Sequence, residues 1–222
     1  MSSSLPEVLT NPDAFFGSVI AEKENLKTPA LIVLAGAIVG AVYGYLMGGL
    51  SAKMMAGVMP GMDAIISISA TLGALIGTFI FWLIAAGIFY GISAVFRGSG
   101  SFNRVLEIVG YGYLPQIIGS LITLIAAVMY IPRITVPALT KAALEDPAVM
   151  QEATKAFMHD PAMMELTQIT TLVSIVFMLW SAHIWIFGMK HARGLSPRDA
   201  AVCVGVPIVL WVLYLTYNLG VM

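Results

Sequence analysis

The chain has 222 residues, of which 59% are hydrophobic and 10% charged, with a formal net charge of −1. Soluble domains carry about 25% charged residues, and several runs here exceed the roughly 18 nearly uncharged residues that mark a membrane span. A soluble fold is excluded, and an all-α polytopic membrane helical bundle is expected, with five transmembrane helices and short interfacial helices.

So small a net charge says nothing about partners, and the distribution of charge has to be used instead. The one cysteine, Cys203, lies in an apolar run, which excludes an internal disulfide framework and a cysteine-rich metal site. The first residues lack the basic flank and early apolar core of a signal peptide, so the N-terminus is expected to be retained.

Residues 1–10 are polar and expected to fray. Asn11, Pro12 and Asp13 then combine a capping side chain, a proline for the first helical position and an acid. The helix they start, to about residue 25, places Phe15, Phe16, Val19 and Ile20 within one arc. It is too charged to span, and is expected to lie on the bilayer surface; an ordinary polar lead-in is the alternative. Residues 1–28 thus form an N-terminal segment ahead of a five-span domain at 29–222.

The first span is expected at 29–50. Its glycines Gly36, Gly40, Gly44 and Gly48 recur at steps of four, which on a helix makes one smooth stripe for close packing. Packing within the chain is favoured over a dimer seam. The second apolar run, 64–96, is longer than a hydrocarbon core needs and should tilt or project. The third span, 105–130, contains Gly110, Tyr111, Gly112, Tyr113 and Pro115. Glycine frees the backbone there, and Pro115 is expected to push Leu114 out of helical geometry. Such a break at membrane depth must be packed among neighbours, so this stretch is expected at the centre of the fold. The turn before it, Gly98 to Gly100, reads as a hinge.

Residues 131–166 form the long polar segment. Asp146-Pro147 and Asp160-Pro161 are repeated helix-start signals, giving one or two short surface helices. The fourth and fifth spans follow at 168–189 and 200–219. With five spans the termini lie on opposite sides. Seven basic residues (Lys23, Lys27, Arg97, Arg104, Lys190, Arg193, Arg198) fall on the N-terminal side and four (Lys53, Arg133, Lys141, Lys155) on the other. The excess favours an N-terminus in the cytoplasm and a C-terminus outside. The outer loop carries five acids, which contribute little to this rule.

The stretch Gly98, Gly100, Phe102, Gly110, Tyr111, Gly112, Tyr113 and Pro115 resembles the signature region of the Yip family, the Ypt/Rab-GTPase-interacting membrane proteins with five spans. In that family a glycine-rich turn leads into a Gly-Tyr-x-x-x-Pro-like pattern in the third span. The start Asn11-Pro12-x-x-Phe15-Phe16 is similar to that of prokaryotic members. For eukaryotic members the resemblance implies binding of prenylated Rab GTPases. Their long N-terminal region has no counterpart in the roughly 28 residues before the first span, so that role is not carried over. A prokaryotic-type membership implies a fold without a settled activity.

Enzyme motifs such as His-Glu-x-x-His, Gly-x-Ser-x-Gly or a phosphate loop are missing. No catalytic residue, cofactor, metal or nucleic acid is expected. Glu107, the one acid inside an apolar run, is a functional candidate by default, with an ion pair to Arg104 or Arg97 favoured over a transport role. His183, beside Trp180 and Trp185, is read as a hydrogen-bonded core residue. Tyr111 and Tyr113 either line a cavity or hold the kinked span by hydrogen bonds.

The reading is a non-catalytic membrane protein acting in membrane organisation or partner and lipid binding at the cytoplasmic face. Its contact residues would be Phe15, Phe16, Arg97, Arg104, Lys190, Arg193 and Arg198, with membrane lipids, a membrane or peripheral protein, or a second copy as partner. The alternative is a small-solute or Cu(I) transporter, with Met54, Met55, Met59, Met62, Met150, Met158, Met163 and Met164 and His159 as soft ligands on the outer loops.

Overall fold

The computed structural model describes residues 5–140 and 146–218. Lys141, counted above among the outer cations, and Glu145 lie outside the described residues. The helices are α1 (Leu5–Thr10), α2 (Pro12–Val19), α3 (Lys27–Met55), α4 (Asp63–Val95), α5 (Phe102–Tyr111), α6 (Leu114–Tyr130), α7 (Pro147–Met158), α8 (Pro161–Arg193) and α9 (Pro197–Asn218), with one 3-10 turn at Ile131–Arg133. No strand occurs among the described residues, and the fold is all-α. Five stretches are long and apolar enough to cross a membrane: Lys27–Met55, Asp63–Val95, Leu114–Arg133, Pro161–Arg193 and Pro197–Tyr217.

The number and order of spans follow the sequence; several ends do not. The fourth span belongs to a helix that starts well before residue 168, at Pro161, because Asp160 caps it. The Asp160 carboxylate accepts the amides of Ala162 and Met163 at 3.0 and 3.1 Å. Asp146 and Asn11 start α7 and α2 in the same way, at 2.8 Å from Ala148 N and 3.3 Å from Ala14 N. At the front, residues 5–10 are helical rather than frayed, with Val8 buried, and α2 stops at Val19, short of residue 25.

The third span differs most. It is two helices, and Leu114 is itself helical with Pro115 in the first turn of α6. A missing amide costs nothing there, because first-turn amides have no helical acceptor. The break sits just upstream, at Gly112 and Tyr113, in the turn where Pro115 has no amide to offer the Tyr111 carbonyl.

The chain forms two compact units, one from Met1–Gly36, Thr78–Gly119 and Ser174–Met222, the other from Ala37–Gly77 and Ser120–Val173. In the first, one apolar cluster gathers Val33, Trp82, Phe89, Val105, Val109 and Trp185. A second gathers Phe15, Phe16, Ile108, Tyr111 and Ile184. The other unit centres on Leu50, Ala126, Ala127, Ile134 and Leu166.

The glycine stripe of α3 packs inside the chain at three positions. A Cβ on Gly44 would stand 2.9 Å from the Ala70 carbonyl oxygen of α4, and one on Gly48 would stand 2.9 Å from Ser67 Cα. Gly36 faces Ile117 of α6, where a Cβ would make ordinary contact at 3.5 Å, and Gly40 is half-buried. Gly73, Gly77, Gly87 and Gly91 on α4 have open space beside them.

Candidate functional site

The first unit draws three connections together at one end. The turn after α4 begins with the Gly98 amide on the Ser93 carbonyl at 2.9 Å and the Arg97 amide on the Ala94 carbonyl at 3.0 Å. This double bond pattern ends many helices and places a left-handed residue, usually glycine, just past the cap. Here that residue is Arg97, at φ 57°, with its side chain exposed. The turn is docked, not hinged: the Ser99 amide donates to the Arg193 carbonyl at 2.9 Å. Arg193 in return donates to Ser93 Oγ at 2.9 Å, to the Gly98 carbonyl at 2.7 Å, and to the Gly100 carbonyl. Its guanidinium lies 4.3 Å from the Tyr90 ring centre, and only 3% of the residue is exposed.

α5 follows from this turn. Ser101 caps it, accepting the Arg104 amide at 3.0 Å while donating to the Glu24 carboxylate. Every residue from Arg104 to Tyr111 is buried. Arg104 meets Glu107 at 2.7 Å and donates to the Val19 and Glu22 carbonyls at 3.2 and 2.6 Å. Glu107 also accepts the Asn25 amide at 3.3 Å. Burial raises the Glu107 pKa above the ordinary carboxylate value, against the opposing pull of Arg104 and of the Asn25 amide. The pair therefore clamps residues 19–25 onto α5, and a buried pair of this kind needs such added hydrogen bonds to offset desolvation.

Two indoles hold the other face. Trp82 Nε1 donates to the Leu106 carbonyl and Trp185 Nε1 to the Val109 carbonyl, each at 2.9 Å. Trp185 lies so close that a Cβ on Gly112 would fall on its indole nitrogen. A Cβ on Gly110 would meet Pro29, and would stand 3.2 Å from the Trp82 ring. These glycines allow the close approach of Pro29, Trp82 and Trp185. Tyr111 packs edge-on to Phe15 at 5.1 Å. Tyr113 packs against Trp185 at 6.2 Å; its hydroxyl has no hydrogen-bond partner among the described residues.

α2 closes the arrangement. Phe15 and Phe16 are 2% and 0% exposed. Asp13 meets Lys190 at 2.8 Å and His191 at 2.6 Å. Hydrogen bonds from Lys190 and then His191 hold its pKa below the ordinary value.

Among known protein families, the Yip1 domain matches the chain over residues 7–218. The chain belongs to the Yip1 family. A protein of Methanocaldococcus jannaschii described as uncharacterized is 40% identical over 121 residues, 54% of this chain and 86% of that protein, in keeping with a prokaryotic-type Yip1 member. No solved structure matches.

In this Yip1 chain the residues of the expected centre meet different neighbours: Glu107 meets Arg104 and the Asn25 amide, Gly110 meets Pro29 and Trp82, Tyr111 meets Phe15, and Gly112 and Tyr113 meet Trp185, while Pro115 lies in the first turn of α6. The expected contact surface is divided. Phe15, Phe16, Arg104 and Arg193 are interior, because α2 turns its apolar arc onto α5 and α8 and both arginines are spent on backbone carbonyls. They face neither lipid nor partner. Arg97 and Arg198 are exposed, and Lys190 is half-buried on Asp13. His183 is likewise no core residue; it sits exposed on α8, its ring 5.0 Å from Phe187.

Sequence reasoning missed the two indole donors and the Asp13 pair. A signal for the first existed, since an indole N–H within an apolar run requires an acceptor. The second carried none, because Asp13 and Lys190 are 177 residues apart.

Proposed function

We propose that the chain is non-catalytic and that its exposed cations at this end of the first unit form a binding face for anionic lipid headgroups, turned towards the cytoplasm. Arg97 carries the reading. A left-handed backbone costs a non-glycine residue about 1–2 kcal/mol, and glycine is the usual occupant of that position. An arginine kept there, exposed and without an ion pair among the described residues, points to a use for its charge. Lys23, Lys27 and Arg198 are exposed as well, and Lys23 and Lys27 flank Glu24, whose bond to Ser101 ties that segment to the turn. Charges so placed favour anionic headgroups.

Replacing Arg97 by Gly tests this directly. The variant is expected to be more stable by about 1 kcal/mol and to lose enrichment of anionic lipid, read by native mass spectrometry of protein drawn from mixed zwitterionic and anionic bilayers. Unchanged enrichment in Arg97→Gly combined with Arg198→Gln would sink the reading, as would saturable solute flux in liposomes. Orientation is tested with single cysteines at the exposed Ser99 and Ser51 in a Cys203→Ala background. A membrane-impermeant maleimide added to intact cells should label position 51 and not position 99.

A further inference from the structure

Within the first unit a cleft of ≈ 110 Å³ opens sideways, lined by Phe81, Ile84, Tyr113, Met178, Trp185 and Trp211 among others. Its rim faces outward from the spans: Phe81 is 52% and Ile84 50% exposed. The indole of Trp185 is committed to Val109. The Tyr113 hydroxyl is not committed to anything among the described residues.

Apolar walls with few polar groups, here those of Tyr113 and Trp211, are the usual make-up of a small-molecule site. The mouth lies among lipid-facing side chains, so only a molecule dissolved in the bilayer reaches it. A cleft of this size accepts part of a hydrocarbon chain, and a free donor on its wall calls for an acceptor oxygen on the occupant. The depth agrees. Leu114–Arg133 has 20 residues, which at about 1.5 Å each equals the roughly 30 Å of the hydrocarbon core. Tyr113, one residue before it, therefore stands at the edge of that core, the level at which a lipid tail joins its ester or ether oxygen.

We propose that this cleft is a lateral binding site for one tail of a membrane lipid, with the Tyr113 hydroxyl donating to the oxygen at the head of the tail. The site is separate from the headgroup face at Arg97, and either stands without the other. Tyr113 has no partner to lose within the protein, so Tyr113→Phe leaves the packing intact and removes only the donor.

The test is photocrosslinking in bilayers that contain a phosphatidylcholine with a diazirine in one acyl chain, with the modified residues located by mass spectrometry. The expected result is labelling concentrated at Ile84, Ala85, Ile88 and Met178, well above that at Ile76 and Leu172, which are 54% and 61% exposed. Tyr113→Phe should reduce the cleft labelling about fivefold, the worth of one neutral hydrogen bond. Ala85→Leu, which fills the cleft, should abolish the excess. Labelling that is even over all exposed apolar residues overturns the proposal. So does a cleft excess that Tyr113→Phe leaves unchanged. Folding of each variant is checked by its unfolding midpoint in detergent, and the Tyr113→Phe comparison stands even where Ala85→Leu fails to fold.

Discussion

The unit containing α5 buries Arg104, Glu107, Arg193, Ser93 and Ser181, whereas the unit made from Ala37–Gly77 and Ser120–Val173 buries only Ser67 of its described polar residues. The first holds an interrupted helix, whose carbonyls and turns need donors aimed at them, and supplies those donors from two indoles and two arginines. The second has no break inside a span and relies on shape: Gly44 and Gly48 let α3 approach Ala70 and Ser67 of α4. A broken span thus calls for buried charge in one unit, and unbroken spans call for small side chains in the other. Changes of charge should break the first unit, and changes of size should break either one.

The largest effect is expected from Glu107→Ala, which strands Arg104 in the interior. Breaking one side of a buried pair costs about 3–5 kcal/mol, read as a drop in the unfolding midpoint in detergent. Replacing both residues by Met should regain most of that loss. If it does not, the Arg104 bonds to the Val19 and Glu22 carbonyls carry the clamp, and the pair itself does not.

Gly112→Ala comes next. It drives a methyl into the Trp185 indole and should cost about 1–3 kcal/mol, with a change in tryptophan fluorescence as the bond to Val109 breaks. Gly44→Val in the second unit should cost a similar amount by overpacking alone, without the fluorescence change. Gly77→Ala, beside open space, should fall within about 1 kcal/mol of the parent. Equal losses at positions 77 and 112 would erase the distinction between open and packed glycines.

The smallest effect concerns Asp13. Its folded pKa lies below the ordinary 3.8, so its contribution is complete above that value and is lost as the pH falls through the lowered folded value. Proteolysis of the 20–27 segment should quicken only below about pH 4. Asp13→Asn should cleave at that faster rate at neutral pH. A wild-type rate that does not change on acidification would show that the pair adds nothing to the hold on α2.

What the sequence made legible follows the range of each signal. Asn11, Asp146 and Asp160 act on amides two or three residues away, so their caps were readable from spacing. The five spans were readable because membrane insertion demands long apolar runs. The burial of Glu107, Gly110 and Gly112 agrees with the rule that interrupted helix in a membrane protein is packed among neighbours. The fate of Phe15, Phe16, Arg104 and Arg193 was not readable. An amphipathic arc or a cation looks the same in sequence whether it meets lipid or another part of the same chain. The proline at 115 was read correctly as a break but not to the residue: Leu114 is helical, and the interruption lies at Gly112 and Tyr113.

That contact also bears on how the molecule is made. The Leu106 carbonyl can find Trp82 as soon as α5 leaves the ribosome, but Trp185 lies 76 residues beyond Val109. At about 5–20 residues per second the wait is roughly 4–15 s. During that interval α5, with its glycines exposed and Val109 unanswered, is a half-finished hairpin at the translocation machinery. Truncations ending before residue 185 leave the Val109 carbonyl without its donor, and their α5 segment should be cleaved faster by protease than that of the full chain.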